Sequence, residues 1–263
     1  MKPPTVFFGE MTNLEVEAFL KLHHTVIIPT GATEQHGPHG PLLTDVLIPQ
    51  EIARRAAPNL AATVAPPINY ALSYPHVGFT GLVHIRISTF MALIEDLCAS
   101  FSTMGFKRIV FLNGHFDNTL AIAYACANAA SSMPKDVRAF PLNYWDGMTP
   151  EETEQFLTLK TGLHANEAET SAVLAINPNL VDMDRANVEM PNFPEFKVNP
   201  AAVHAAFFFS QPGSVHRATK SGTWGDARHS TPEKGERFID AGVRSTIACL
   251  ENIEEAFAKM PRR

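Results

Sequence analysis

The sequence predicts an α/β protein with a largely parallel sheet, and three observations carry that prediction. Short apolar runs alternate with stretches of helical periodicity along the chain. Capping signatures mark helix starts at widely separated points. The length, 263 residues with 45 % apolar content, suits one large domain over 1–263 with a full core.

Taken in order, Thr12-Asn13-Leu14-Glu15 is a capping box opening a short amphipathic helix to about Leu22. Thr25 to Pro29 reads as a buried strand ending in a turn at Gly31, and a helix follows from about Asp45 to Ala57. Thr63 to Pro66 is a second short strand, stopped by Pro66-Pro67. Phe90, Leu93, Ile94, Leu97, Phe101 and Met104 then share one face of a helix that Gly105 ends. Arg108 to Leu112 is a strand running into Asn113-Gly114-His115, and Asn118 starts a helix to about Ala130. Val137 to Leu142 is a fourth strand, and Thr149-Pro150-Glu151-Glu152 is a second capping box with proline at the first helical position. Another helix includes Glu167 to Ile176, and Thr231-Pro232 begins the last one, to about Ala258. The stretch from Asn187 to Ser221 is the least regular and reads as a lid or an interface arm.

Composition excludes several function classes. The formal charge of −6, from 27 acidic and 21 basic residues, comes without a Lys/Arg cluster, which argues against nucleic acid as a partner. Cys98, Cys126 and Cys249 are too scattered for a disulfide framework or a CxxC metal clip. Met1 to Gly9 lacks the pattern of a signal peptide, and no apolar run approaches the ~20 residues of a membrane span. The expectation is a soluble protein of the cytoplasm, with no membrane partner.

Three polar clusters carry the chemistry. Gly31 to Asp45 follows a buried strand, where α/β proteins place ligands, and packs Glu34, His36 and Asp45 among glycines and prolines. Carboxylate and imidazole donors suit zinc, manganese or iron, and a mixed set without cysteine suits a catalytic site that keeps water bound. His39 reads equally well as a turn residue. His115 and Asp117 lie two apart at the end of another strand, with Asn118 as a helix cap. In the third cluster His164 and Glu167 would be neighbours on a helix with Glu169 facing elsewhere, so one glutamate is surface charge.

Together these clusters resemble the creatininase (creatinine amidohydrolase) family over most of the chain. Gly31-Ala32-Thr33-Glu34-Gln35-His36-Gly37-Pro38-His39 through Asp45 looks like its metal-binding signature. Asn113-Gly114-His115 looks like its second motif, and His164 to Ser171 its histidine-to-Glu-Thr-Ser motif. Gly225-Asp226 and Thr231 to Glu236 resemble its C-terminal segment, and Ser73, His76 and Gly81 sit as in its substrate-side loop.

The resemblance implies a three-layer α-β-α fold and two divalent metal ions per chain, zinc, manganese or iron. Glu34 and His115 would hold one ion, His36 the other, and Asp45 would bridge them. Asp117, or after it Glu169, would complete the coordination of the second metal; Glu169 joins His164 as a catalytic candidate, His164 as the group protonating the leaving nitrogen. Ser73 and Trp145 would face a small-molecule substrate, although Trp145 reads equally as core packing. Lys160 replaces a family tryptophan, which argues against creatinine itself. The resemblance also implies a homo-oligomer, typically a hexamer. The leading activity is metal-dependent hydrolysis of a carbon–nitrogen bond in a cyclic amide or formamide by a metal-bridging hydroxide. The alternatives are hydrolytic opening of a keto-sugar or cyclitol ring, or a non-enzymatic metal-binding protein of the same fold.

Overall fold

The computed structural model describes residues 5–156, 161–192 and 207–260. The first helix α1 (Asn13–Leu20) opens on the expected box: Thr12 accepts from the backbone of Glu15, whose side chain accepts from Thr12. β1 (Thr25–Thr30), β2 (Ala62–Val64), β3 (Arg108–Asn113) and β4 (Arg138–Asn143) form a four-stranded sheet in the order β2-β1-β3-β4, parallel throughout. Every residue of β1 is buried, as a strand covered on both faces requires.

The pleat sends alternate side chains to opposite layers. Val26, Ile28, Ile109 and Phe111 meet α3 (Ile87–Met104) and α4 (Asn118–Ala130) through Phe90, Ile94 and Ile122. Ile27, Val110 and Leu112 meet α2 (Thr44–Ala56) through Ile48 and Ile52, and Phe238 of the long C-terminal helix behind it. Fully burying one such side chain stabilises the fold by about 1.5–3 kcal/mol. The result is the expected three layers, helix on sheet on helix.

α5 (Pro150–Phe156) carries the second capping box, in which the Thr149 hydroxyl accepts from Glu152 and the Glu152 carboxylate from Thr149. The next region corrects the sequence reading. His164 does not start a helix: it closes β5 (Gly162–His164), and α6 (Glu167–Ile176) begins three residues later. The irregular stretch also holds order, with β6 (Val188–Glu189) and a short helix α7 (Ser214–Ala218). With β7 (Trp224–Asp226) these strands make a second, antiparallel sheet in the order β5-β7-β6. Lys160 and residues 193–206 lie outside the described residues. α8 (Pro232–Lys259) is capped by the Thr231 hydroxyl and packs on α6, where Gly235 lies directly over the Ser171 carbonyl.

One contact positions everything that follows. The first turn of α2 rests on the ends of both central strands, through Gly31 after β1 and Gly114 after β3. A Cβ on either glycine would overlap the backbone oxygen of Asp45, and on Gly114 it would also strike the Pro49 ring. Gly31→Ala or Gly114→Ala is therefore expected to cost about 1–3 kcal/mol or more through overpacking. Denaturant midpoints measured on both variants would check this, and wild-type stability in either would contradict the contact.

Candidate metal centre

The loop from Gly31 to Asp45 brings its donors back to the sheet end from which it leaves. Glu34 is tied by its backbone N–H to the Leu42 carbonyl, and Gly40 to His36, so the loop folds on itself. Glu34 is fully buried, and His36 and Asp45 nearly so. His36 Nε2 stands 3.0 Å from Asp45 Oδ1, and His115 Nδ1 stands 2.9 Å from Asp45 Oδ2. One carboxylate thus has an imidazole on each oxygen. His115 Nδ1 is also 3.6 Å from Glu34 Oε1.

Asparagines hold the second strand end. Asn113 donates to the His115 carbonyl and to Asn143 Oδ1, while its own Oδ1 accepts from the His115 N–H. Asn118 donates to the Gly31 carbonyl, joining the loops after β1 and β3.

The third cluster enters through a strained link. Ala165 sits between His164 and Asn166 with φ 51°, in the left-handed region that alanine disfavours. That turn aims His164 inward, and Asn166 then caps α6 by accepting from the backbone of Glu169. Glu169 is buried against His36 and Asp45, while Glu167 faces outward and pairs with Lys234. The surface glutamate is therefore Glu167, and its neighbour two residues on turns inward.

Three groups of donors come within 4.8 Å of one another: Glu34 with Asp45 and His115, His36 with Asp45 and Glu169, and Glu34 with His36 and His164. The first two share Asp45. Asp117 is not in these groups; its Oδ2 is 3.8 Å from His115 Nε2, the ring nitrogen on the opposite side from Asp45. Ser73 is completely buried and donates to Glu34 Oε2 at 2.5 Å, so it orients that carboxylate. Trp145 packs edge-on against Tyr144 and into the α2–α8 layer. His39 is buried against the Thr170 hydroxyl.

Sequence reasoning left Gln35 and His76 out of the donor assembly. The Gln35 amide lies between His76 and His164, at 2.9 Å and 3.1 Å. The rings of His36 and His76 each lie 4.3 Å from that of His164 between centroids, tilted by 39° and 46°. The available signal for Gln35 was its place between Glu34 and His36, where a neutral amide must find buried partners of its own.

Electrostatics show what the centre lacks. Burial raises Glu34 to about 8 and Glu169 to about 7. Burial also opposes the charge on Asp45, but His36 and His115 outweigh it and hold that carboxyl well below the usual range. Burial works against the charged form of His36 too, yet Asp45 raises it to about 9. Burial, then His115, lowers His76 to about 3; burial, then His36, holds His164 well below the ordinary imidazole value.

Glu34 Oε1, His115 Nε2 and Glu169 Oε2 are buried without a hydrogen-bond partner. Among the described residues no lysine or arginine pairs with these carboxylates. Buried carboxylates with unpaired oxygens and flanking imidazoles are the donor set of a divalent transition metal. The residues present fit such an ion.

A mostly parallel sheet carrying carboxylate and histidine donors at its strand ends defines the metallohydrolase class, and the comparisons narrow it. Residues 9–250 match the creatininase family, described as creatinine amidohydrolase. The chain belongs to the creatininase family and is a hydrolase. It is 29 % identical to a creatinine amidohydrolase of Pseudomonas putida over 96 % of each protein. It is 30 % identical to a 3-dehydro-scyllo-inosose hydrolase of Thermotoga maritima, over 99 % of this chain and 88 % of that one. A mycofactocin precursor peptide peptidase of Mycolicibacterium smegmatis is 31 % identical, over 94 % and 90 %. A solved creatininase structure titled as the Mn form superposes with a TM-score of 0.81 at 27 % identity, covering 95 % of this chain and 98 % of that one.

A pH dependence follows for the metal-free protein. Glu34, Glu169 and His36 all bind their proton more tightly folded than unfolded. Their contribution is complete below the unfolded values, 4.5 for the glutamates and 6.5 for the histidine, and is lost as pH rises through about 7, 8 and 9. His76 and His164 act oppositely, but only below the unfolded value of 6.5. Metal-free protein should therefore lose stability from about pH 7 to 9, and saturating metal, which needs the carboxylates ionised, should oppose the loss. Thermal melts across that range with and without metal check it; a flat metal-free profile would contradict it.

Proposed function

We propose that this chain, acting over 1–263 as one metallohydrolase domain, hydrolyses a carbon–nitrogen bond of a small cyclic amide or formamide at a two-metal centre. The observation that carries this is that two donor groups share one carboxylate, Glu34-Asp45-His115 and His36-Asp45-Glu169. In this reading Glu169 completes the second group, and Asp117, 3.8 Å from His115 Nε2, stands outside both. Two divalent ions would supply an acidified water and a Lewis acid for the scissile carbonyl.

The chain's own residues do the rest. Ser73 fixes Glu34 by its hydrogen bond. The neighbouring rings and the Gln35 carbonyl hold His164 in place beside Glu34, its Nδ1 3.4 Å from Glu34 Oε1. From there His164 carries a proton to the departing nitrogen, as a general acid within reach of the reacting centre. With its proton affinity held low by burial, His164 is neutral at rest and first takes up, at the Nδ1 beside Glu34, the proton it passes on.

A second reading keeps the centre and changes the bond. The relative named for hydrolysing 3-dehydro-scyllo-inosose is 30 % identical, against 29 % for the one named for creatinine, so ring opening of a keto-sugar or cyclitol is the rival activity. Metal-reconstituted protein assayed on creatinine, formamides, hydantoins, cyclic ureides and a keto-inositol would separate the two. A cytoplasmic homo-oligomer belongs to the proposal too; Phe116, Leu120 and Tyr124 form an exposed apolar stripe at and along α4 that suits subunit contact. Among the described residues no helix is long and apolar enough to cross a membrane.

Elemental analysis of variants tests the metal assignment. Asp45→Ala should lose both ions, Glu169→Gln chiefly one, and Asp117→Asn should retain two. Retention of two ions by Glu169→Gln together with loss in Asp117→Asn would reverse the assignment.

His164→Ala should keep its metal and lose turnover roughly 10²–10⁴-fold, the scale of a missing general acid. Normal turnover on the substrate found in the panel would remove His164 from the chemistry.

A further inference from the structure

Hydrogen-bond accounting around Gln35 determines where the protons sit on two catalytic-site histidines. The Gln35 side chain has two N–H donors and one acceptor oxygen. Its Oε1 accepts from the backbone N–H of Gly37 at 2.8 Å, which turns the amide nitrogen toward the histidines. That nitrogen has three neighbours within reach: the Gly222 carbonyl at 3.2 Å, His76 Nδ1 at 2.9 Å and His164 Nε2 at 3.1 Å. Gly222 approaches so closely that a Cβ there would overlap the amide.

Two hydrogens cannot serve three acceptors, and one of the three is not an acceptor. His164 Nε2 lies 2.7 Å from the backbone carbonyl of Gln35, an oxygen that only accepts. His164 therefore carries its hydrogen on Nε2 and donates it there. The Gly222 carbonyl takes one amide hydrogen, and the other goes to His76 Nδ1. His76 must then be bare at Nδ1 and protonated at Nε2, since a second hydrogen on Nδ1 would face the amide donor.

We propose that Gln35 is a positioning residue that sets the tautomer of His76 and, with its backbone carbonyl, that of His164. Both rings carry hydrogen on Nε2, but they turn opposite atoms to Glu34. His76 shows Glu34 Oε1 an N–H at 3.7 Å, whereas His164 shows it a lone pair on Nδ1 at 3.4 Å. Glu34 thus has a donor on one side and a proton acceptor on the other. In the hydrolase reading this leaves His164 Nδ1 free to take a proton from the centre and return it to the leaving group; the tautomers themselves rest on geometry alone.

The test is nuclear magnetic resonance of the full chain, metal-free and labelled with ¹⁵N-histidine, at neutral pH. Long-range ¹H–¹⁵N correlation distinguishes Nδ1–H from Nε2–H rings, and His76→Asn and His164→Asn assign the signals. Both rings are expected as Nε2–H in the wild type. In Gln35→Glu the residue has no hydrogen for His76, so His76 Nδ1 should move from the pyridine-type to the pyrrole-type range while His164 stays Nε2–H. An Nδ1–H signal from either ring in the wild type, or an unmoved His76 in Gln35→Glu, would overturn the proposal. If Gln35→Glu does not fold, Gln35→Met removes the donor without adding charge and should give His76 a mixture of tautomers; a single unchanged form would again overturn it. Inactivity of the metal-loaded enzyme would count against the hydrolase reading and leave the tautomer result standing.

Discussion

The contact between the start of α2 and the two glycines at the ends of β1 and β3 is the constraint on which this architecture turns. Adjacent parallel strands lie ≈ 4.8 Å apart, so a helix seated on both of their ends is fixed more tightly than one seated on either. Asp45 is the residue at that seat, and its two oxygens therefore reach donors from both strand ends at once. Side chains larger than hydrogen at Gly31 or Gly114 would lift the helix away and separate the two halves of the centre.

Assembly of the site also depends on elements that add little to the core. The antiparallel strands β5, β6 and β7 are two or three residues long, yet β5 ends in His164 and the turn at Ala165 delivers Glu169. Left-handed alanine costs roughly 1–2 kcal/mol, and Asn166 offsets part of that by capping α6 and donating to the Gly162 carbonyl. Strain held in this way at a functional turn is a recurring pattern.

Periodicity and turn chemistry made the parallel sheet and its covering helices legible, because those elements exceed a few residues and bury whole faces. Thr12, Thr149 and Thr231 each begin a helix where the capping pattern placed one. The short antiparallel sheet was hidden, since two- and three-residue strands carry no period and their pairing is set by distant partners. The donors Glu34, His36, Asp45 and His115 announced themselves through residue type and strand-end position, and the family resemblance joined them. Glu169 was harder to place: helical spacing set it against Glu167, and the local geometry at Ala165, invisible to any period, decided which glutamate turned inward. Gln35 was overlooked for a different reason, since its importance lies in which atoms accept and which donate.

The three neighbouring imidazoles bear on how freely His164 can move. The rings of His36 and His76 each crowd that of His164 at 4.3 Å between centroids, and the Gln35 carbonyl tethers its Nε2. In the proposed reaction, a proton carrier tethered in this way obliges its partner to come to it. For the amide proposed as substrate, a leaving nitrogen at an open edge meets that condition, and one with a bulky group beside it does not.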